Sequence, residues 1–260
     1  MKTAAILPAY NEEARVKGVL DPVRRSKAVD EIVVVNDGST DATAARVLEV
    51  PGVYLLSLPH NVGKGGAMAA GARFTDADIL LFLDADLIGL TPEHVSALVE
   101  PIKSGRALMA IGRFCGGRRI TDISQRVAPC ISGQRAMART LFEQIPGVAS
   151  VRYGVEMQIT RFCRYYRIPT ETVPLTGVTH PMKEEKLGVL MGWASRGRMY
   201  GQILRIMLDP RAPRRSVERT LRLLRGNIQS GIGQPPLNLP QWFSRLQPRG
   251  RTGRNPRARR

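Results

Sequence analysis

The run ILLFLDADL, residues 79–87, ends an apolar stretch on two aspartates one residue apart. In an extended chain alternate residues face the same side, so Asp84 and Asp86 present their carboxylates together. Burying such groups at a strand end is costly unless they are paired or bound to a metal. Two hard carboxylates side by side suit Mg²⁺ or Mn²⁺, and a cation held there also binds a substrate pyrophosphate. Three other apolar runs end in chemically useful residues. The first ends in Pro8, Ala9, Tyr10 and Asn11, with Glu12 next, and the second in Asn36 and Asp37. The third leads into HNVGKGG, residues 60–66. Asp37 can accept hydrogen bonds from a base or ribose, although it also suits a cap for the helix that follows. Gly63, Gly65 and Gly66 permit close backbone approach, and Lys64 supplies positive charge for a phosphate. The glycine run is neither a phosphate-binding GxxxxGK[ST] loop nor a dinucleotide fingerprint, whose turn follows the first strand.

These residues need elements to hold them. KTAAILP, EIVVVND, VYLLSL, DILLFLD and ALMAIGRF read as five strands, near-continuously apolar as expected for parallel strands covered on both faces. Helices are expected between them: after Asn11, read as an N-cap with Glu12 and Glu13 in the first turn, after Gly38, after HNVGKGG, and after Thr91–Pro92. Strand–helix alternation with short connections implies an α/β fold, a mostly parallel sheet with helices on both faces, whose ligands bind beyond the carboxyl ends of the strands. Beyond residue 115 the spacing predicts helices near 122–145 and 152–166, a strand near 169–175 and a helix across 187–207.

ILPAYNEE, VVVNDGSTDAT, HNVGKGGAMAAGA and LFLDADL occur in that order over residues 3–95. As a set they resemble the nucleotide-sugar-binding half of a GT-A glycosyltransferase of the family 2 type. The resemblance implies a Rossmann-like GT-A sheet, a UDP- or GDP-sugar donor and a divalent metal. On it, Pro8, Tyr10 and Glu12, at the strand end that includes Ala9, contact the nucleoside. Asp37 reads the base or ribose, and Gly63 and Lys64 lie near the base or phosphate. Asp86 is the principal metal ligand and catalytic centre, with Asp84 nearer the ribose or sugar. Further on, CGGRRITDISQRVAP, SGQRAMAR, RYGVEMQIT and GVTHPMK are similar to the glucosyl-3-phosphoglycerate synthase branch. That similarity implies an anionic acceptor held by Gly117, Arg119 and Thr121, a sugar oriented by Glu156, and His180 completing the metal shell. The acidic pair and aromatic-rich motif of polymerising family 2 enzymes are absent, which argues against polysaccharide synthesis. No base for an inverting transfer to a neutral hydroxyl is evident. A phosphate acceptor needs none, and in a retaining front-face transfer the leaving diphosphate takes the proton.

The 260 residues, 43% apolar, suffice for one α/β domain plus an appendage. No apolar run reaches the ~18 residues of a membrane span, and MKTAAILPAYNEE reads as the first strand and not a leader. Cys115, Cys130 and Cys163 lack metal-ligand spacing, which suggests reduced thiols and a cytoplasmic setting. The net charge of +17 is uneven: from Arg196 onward sixteen arginines face only Asp209 and Glu218, so +14 lies there and +3 in the first 195 residues. The expected organisation is a catalytic domain over 1–207, its donor half about 1–115 and acceptor half about 116–207, followed by a basic, partly disordered extension over 208–260. Within the extension, Val217, Leu221, Leu224 and Ile228 recur at helical spacing, and Arg215, Arg219 and Arg222 recur on another side. An amphipathic basic helix of this kind suits an anionic bilayer, so the expected enzyme is peripheral on the inner face of a membrane, with a small anionic or lipid-phosphate acceptor. A sugar-1-phosphate nucleotidylyltransferase would need a GxGTRxxPxT-type loop after the first strand, which PAYNEEARV lacks. A nucleic-acid-binding protein would need charge over the folded body, which is nearly balanced.

Overall fold

The computed structural model describes residues 1–115, 132–152 and 154–180. The elements run β1 (Thr3–Ala9), α1 (Val16–Arg25), β2 (Glu31–Asn36), α2 (Thr43–Leu48), β3 (Tyr54–Ser57), α3 (Lys64–Phe74), β4 (Ile79–Phe82), α4 (Pro92–Lys103), β5 (Met109–Cys115), β6 (Arg135–Ala138), α5 (Arg139–Gln144), a 3₁₀ turn (Val148–Ser150), α6 (Val155–Tyr165) and β7 (Thr170–Thr176). The seven strands form one sheet in the order β3-β2-β1-β4-β6-β5-β7. All pairs are parallel except those of β6, which runs antiparallel between β4 and β5, with Ala136 opposite Leu81 on one side and Ala110 on the other.

Consecutive residues of β1 and β2, Ala5-Ile6-Leu7 and Val33-Val34-Val35, are fully buried, so both faces of the sheet are covered. The chain moves outward through α1 and α2 and returns through α3, and right-handed crossovers place α3 on the opposite face from those two. There α3 lies close to the strands: a Cβ at Gly71 would come within 2.5 Å of Ile6 and 3.0 Å of Val35. Helix α4 packs with α1, where Ser26 and Ser96 share a hydrogen bond of 3.1 Å. Its start follows expectation. The Thr91 hydroxyl accepts from the His94 amide, the His94 ring accepts from the Thr91 amide, and Pro92 opens the helix.

Three expectations change. Asn11 does not cap α1, which begins at Val16 without a side-chain cap. Asn11 adopts φ +56°, a left-handed conformation that asparagine tolerates, and its amide oxygen accepts the Thr40 amide at 2.9 Å, tying the loop after β1 to the loop after β2. The helix expected over 122–145 is, in its described part, strand β6 followed by the six-residue α5. The four residues RAMA carry little periodicity, and tertiary pairing on two sides decides their state. Finally, the helix near 152–166 starts later, at Val155. The extension over 208–260, the helix across 187–207 and Cys130 lie outside the described residues. Cys163 is buried and Cys115 half-buried, both as free thiols. No helix among the described residues is long and apolar enough to cross a membrane.

Candidate active site

The carboxyl ends of β1, β2 and β4 share one edge of the sheet. Because β6 is antiparallel, the residues before it, Ser132–Gln134, reach the same edge, as does the start of α6 with Glu156. The residues after β7 arrive there too. Ile88 and Thr179 exchange backbone hydrogen bonds of 3.0 Å in both directions, which fastens the segment after β7 to the loop after β4. That clamp carries His180 to the aspartates: its Nδ1 is 3.0 Å from Asp86 Oδ1 and its Nε2 is 3.5 Å from Asp84 Oδ2. The Phe114 ring lies against the imidazole, with ring centroids 5.1 Å apart.

Asp84, Asp86 and His180 thus offer ligand atoms that all lie within 4.8 Å of one another. Their chemistry, two carboxylates and an imidazole, suits a divalent cation of the Mn²⁺ type. The electrostatics fit as well. Burial opposes charge on His180, yet the hydrogen bond to Asp86 and the charges of Asp84 and Asp86 raise its pKa above the ordinary value. Burial likewise pushes Asp84 up, but Lys64 and His180 outweigh it and hold the carboxyl below its ordinary range. Lys64 Nζ bridges Asp84 Oδ1 and Glu156 Oε1, the latter at 2.5 Å. Burial disfavours its charge, and the two carboxylates overcome that, so the ammonium titrates above its normal value. Three carboxylates are therefore gathered around one ammonium and one imidazole, a surplus of negative charge that a metal ion would balance.

Farther along the same edge, the loops after β1 and β2 are laced together. Glu13 Oε2 accepts the Ala42 amide, Asp41 accepts the amides of Glu13 and Thr43, and the Glu12 amide donates to the Thr43 hydroxyl. Glu12, whose backbone this fixes, is half-buried and Tyr10 is 47% exposed; Pro8 is half-buried and Ala9 buried. Asp37 is 3% exposed and accepts the backbone amides of Val62 and Gly63 at 2.7 and 3.0 Å, so its carboxylate organises the glycine loop. The glycines themselves admit protein. A Cβ at Gly63 would strike Arg152, and one at Gly65 would overlap the carbonyl oxygens of Val148 and Val151. Gly65 N–H donates to the Val151 carbonyl at 3.1 Å, so the start of α3 is capped by the 148–152 segment. Gly117, Arg119 and Thr121 lie outside the described residues.

Four site residues escaped sequence reasoning: Ser132, Gly133, Gln134 and Arg135. Gln134 Nε2 donates to Asp84 Oδ2 at 2.8 Å, and Arg135, fully buried, donates to the carbonyls of Ser132 and Glu156. SGQRAMAR carried part of the family resemblance and fell within the helix expected over 122–145, and neither reading gave these four residues a role.

Residues 4–159 match the family model for glycosyl transferase family 2. The chain belongs to this family. Among relatives of this family 2 chain is the glucosyl-3-phosphoglycerate synthase of Mycobacterium tuberculosis, 30% identical, with 59% of this chain matched. The chain spans 58% of the length of that relative. A dolichyl-phosphate beta-glucosyltransferase of Trichomonas vaginalis is 45% identical over 31% of this chain and 29% of its own length. The crystal structure of the mycobacterial synthase in complex with Mn²⁺, UDP-glucose and phosphoglyceric acid superposes with a TM-score of 0.58 at 28% identity, covering 72% of this chain and 75% of that one. The Rossmann-like GT-A architecture is thereby shared.

Proposed function

We propose that this chain is a metal-dependent hexosyltransferase that moves a sugar from a nucleoside diphosphate donor, with UDP-glucose the leading candidate, to an anionic acceptor. The observation that carries the reading is the convergence of Asp84, Asp86 and His180, drawn from two distant segments, beside Lys64 and Glu156. Asp86 and His180 would hold Mn²⁺ or Mg²⁺, with Asp84 alongside. The ion would supply charge neutralisation for the donor's diphosphate as it leaves. Pro8, Ala9, Tyr10 and Glu12 would line the nucleoside, beside the glycine loop that Asp37 shapes by holding the Val62 and Gly63 amides. Glu156, fixed by Lys64, would accept hydrogen bonds from sugar hydroxyls. Gly117, Arg119 and Thr121 would grip the acceptor's negative groups. Phosphoglycerate and a polyprenyl-type lipid phosphate are both anionic acceptors, as the two kinds of relative imply. The similarity to the phosphoglycerate enzymes covers more of the chain.

The reading is tested by screening UDP- and GDP-sugars with Mn²⁺ for thermal stabilisation, since a ligand bound only by the folded state raises Tm. Transfer to 3-phosphoglycerate and to a polyprenyl phosphate is then assayed. UDP-glucose with Mn²⁺ is expected to stabilise, EDTA to remove the effect, and Asp86→Ala to abolish both binding and transfer. Donor binding of equal strength with and without metal would overturn the metal assignment. The arginine-rich chain beyond residue 195 is proposed to hold the enzyme peripherally at an anionic membrane.

A further inference from the structure

The side chains behind Asp84 form a closed circuit. Asp84 Oδ2 accepts from Gln134 Nε2 at 2.8 Å; Gln134 Oε1 accepts from the Ser132 hydroxyl at 2.9 Å; the Ser132 carbonyl accepts from Arg135 at 2.6 Å. Arg135 also donates to the Glu156 carbonyl at 3.2 Å, and the Glu156 carboxylate returns through Lys64 to Asp84 Oδ1. Gln134 and Arg135 are fully buried and Ser132 is 2% exposed. The backbone at 134 is pinned as well, its carbonyl accepting the Gly112 amide at 2.8 Å. Gly133 passes so near Asp84 and Lys64 that a Cβ there would have to displace the carboxylate and the ammonium.

The orientation of Gln134 is not free. An amide presents two donors at one end and an acceptor at the other. Asp84, which can only accept, must meet the NH₂ end, and the Ser132 hydroxyl then donates to the amide oxygen and holds that end in place. A carboxylate placed to face a metal keeps its geometry only when its remaining lone pairs are tied by outer donors, and losing such a donor typically costs ~10–100-fold in metal affinity. We infer that Gln134, oriented by Ser132, is the positioning residue that fixes Asp84 for cation binding, and that the circuit through Arg135 sets Asp84 and Glu156 at a constant spacing. This rests on the metal reading given above for Asp84, Asp86 and His180.

Binding of Mn²⁺ to the full chain is read from the electron paramagnetic resonance signal of free aquated Mn²⁺, with thermal unfolding recorded on the same samples. Gln134→Met keeps the volume and removes the amide. It is expected to weaken Mn²⁺ binding by about tenfold or more. Ser132→Ala leaves Gln134 in place but unlocks it, and is expected to weaken binding about three- to fivefold. Asp86→Ala is expected to abolish binding. If Asp86→Ala abolishes binding while Gln134→Met and Ser132→Ala stay within twofold of wild type, Gln134 only packs, and the inference fails while the metal site stands. Wild-type protein that binds no Mn²⁺ overturns both. Should Gln134→Met not fold, Ser132→Ala decides alone, and an unchanged affinity overturns the inference.

Discussion

Lys64 sits where a lysine in a glycine-rich loop was expected to meet phosphate, and its ammonium joins Asp84 to Glu156. Its side chain is 29% exposed, so solvent weakens the bridge relative to a fully buried one. Breaking a buried pair leaves uncompensated charge and costs ~3–5 kcal/mol, and the residual exposure reduces this to about 2 kcal/mol. Lys64→Met should therefore lower Tm by roughly 4–8 °C in EDTA. Added Mn²⁺ should recover a larger share of stability in the variant than in wild type, because the ion restores positive charge beside Asp84. Melting curves of both proteins with and without Mn²⁺ check this, and equal Mn²⁺ shifts would argue against the charge-balance reading. Asp37 shows the complementary lesson. Its residue type suggests ligand reading, yet both oxygens hold amides of the loop that carries Lys64. A carboxylate can serve a site by shaping the backbone next to it.

Among elements, the clearest dependency is of α3 on the turn at 148–150. Adding one methyl at Gly65 would drive a Cβ into the carbonyls of Val148 and Val151, which cannot move aside as side-chain ends can. Gly65→Ala should destabilise by about 1–3 kcal/mol and displace Lys64, whereas at Gly18, where nothing lies within 4 Å of an added Cβ, alanine should be neutral or stabilising. Paired Tm measurements on these two variants test it. The lacing of the loops after β1 and β2 depends on Asp41. Partial burial raises its pKa, but hydrogen bonds from Thr43 and from the Glu13 amide lower it overall, below the ordinary 3.8. Its contribution is thus complete above pH 3.8 and is lost as pH falls through the depressed folded value. Asp41→Ala should cost about 1 kcal/mol at pH 7, weaken UDP binding several-fold by releasing Glu12 and Glu13, and flatten the acid limb of the stability curve. Calorimetric titration of UDP and acid unfolding of both proteins measure these effects. These cases also show how far the sequence could be read. Strands β1, β2, β4 and β5 were legible because each is a buried apolar run; β3 was legible from its apolar residues as well, but it lies at the sheet edge with Tyr54 52% exposed and is not covered on both faces. The direction and even the existence of β6 were not, because RAMA owes its state to Leu81 and Ala110 on either side. The triad's histidine was expected at the metal through family likeness, whereas Gln134, placed by that short strand, was quoted within the same likeness and given no role. At Gly63 and Gly65 the group that approaches the backbone is the 148–152 segment, a contact that the glycine spacing alone does not specify.

At the scale of the whole molecule, charge is segregated. The first 195 residues carry +3 and the remaining 65 carry +14. Such a distribution acts through long-range attraction and not through the fold. Each arginine near an anionic bilayer contributes ~1 kcal/mol, so half of the sixteen would suffice to hold the chain there at moderate salt. A surface-held enzyme would meet a lipid phosphate at high local concentration, whereas a three-carbon phosphate would reach it equally well in solution. Co-sedimentation with vesicles rich in phosphatidylserine therefore separates the acceptor classes. The full chain should sediment at low salt and be released as salt rises, since exposed charges are screened within ~8–10 Å at 0.1–0.15 M. A chain ending at Asp209 retains three of the sixteen arginines; it should keep UDP-sugar binding and lose sedimentation. Neutral vesicles of phosphatidylcholine should retain neither form. Full-length protein that stays in the supernatant with anionic vesicles at low salt would remove the membrane from the account, and the soluble phosphate acceptor would then be the one that the first 195 residues must recognise by themselves.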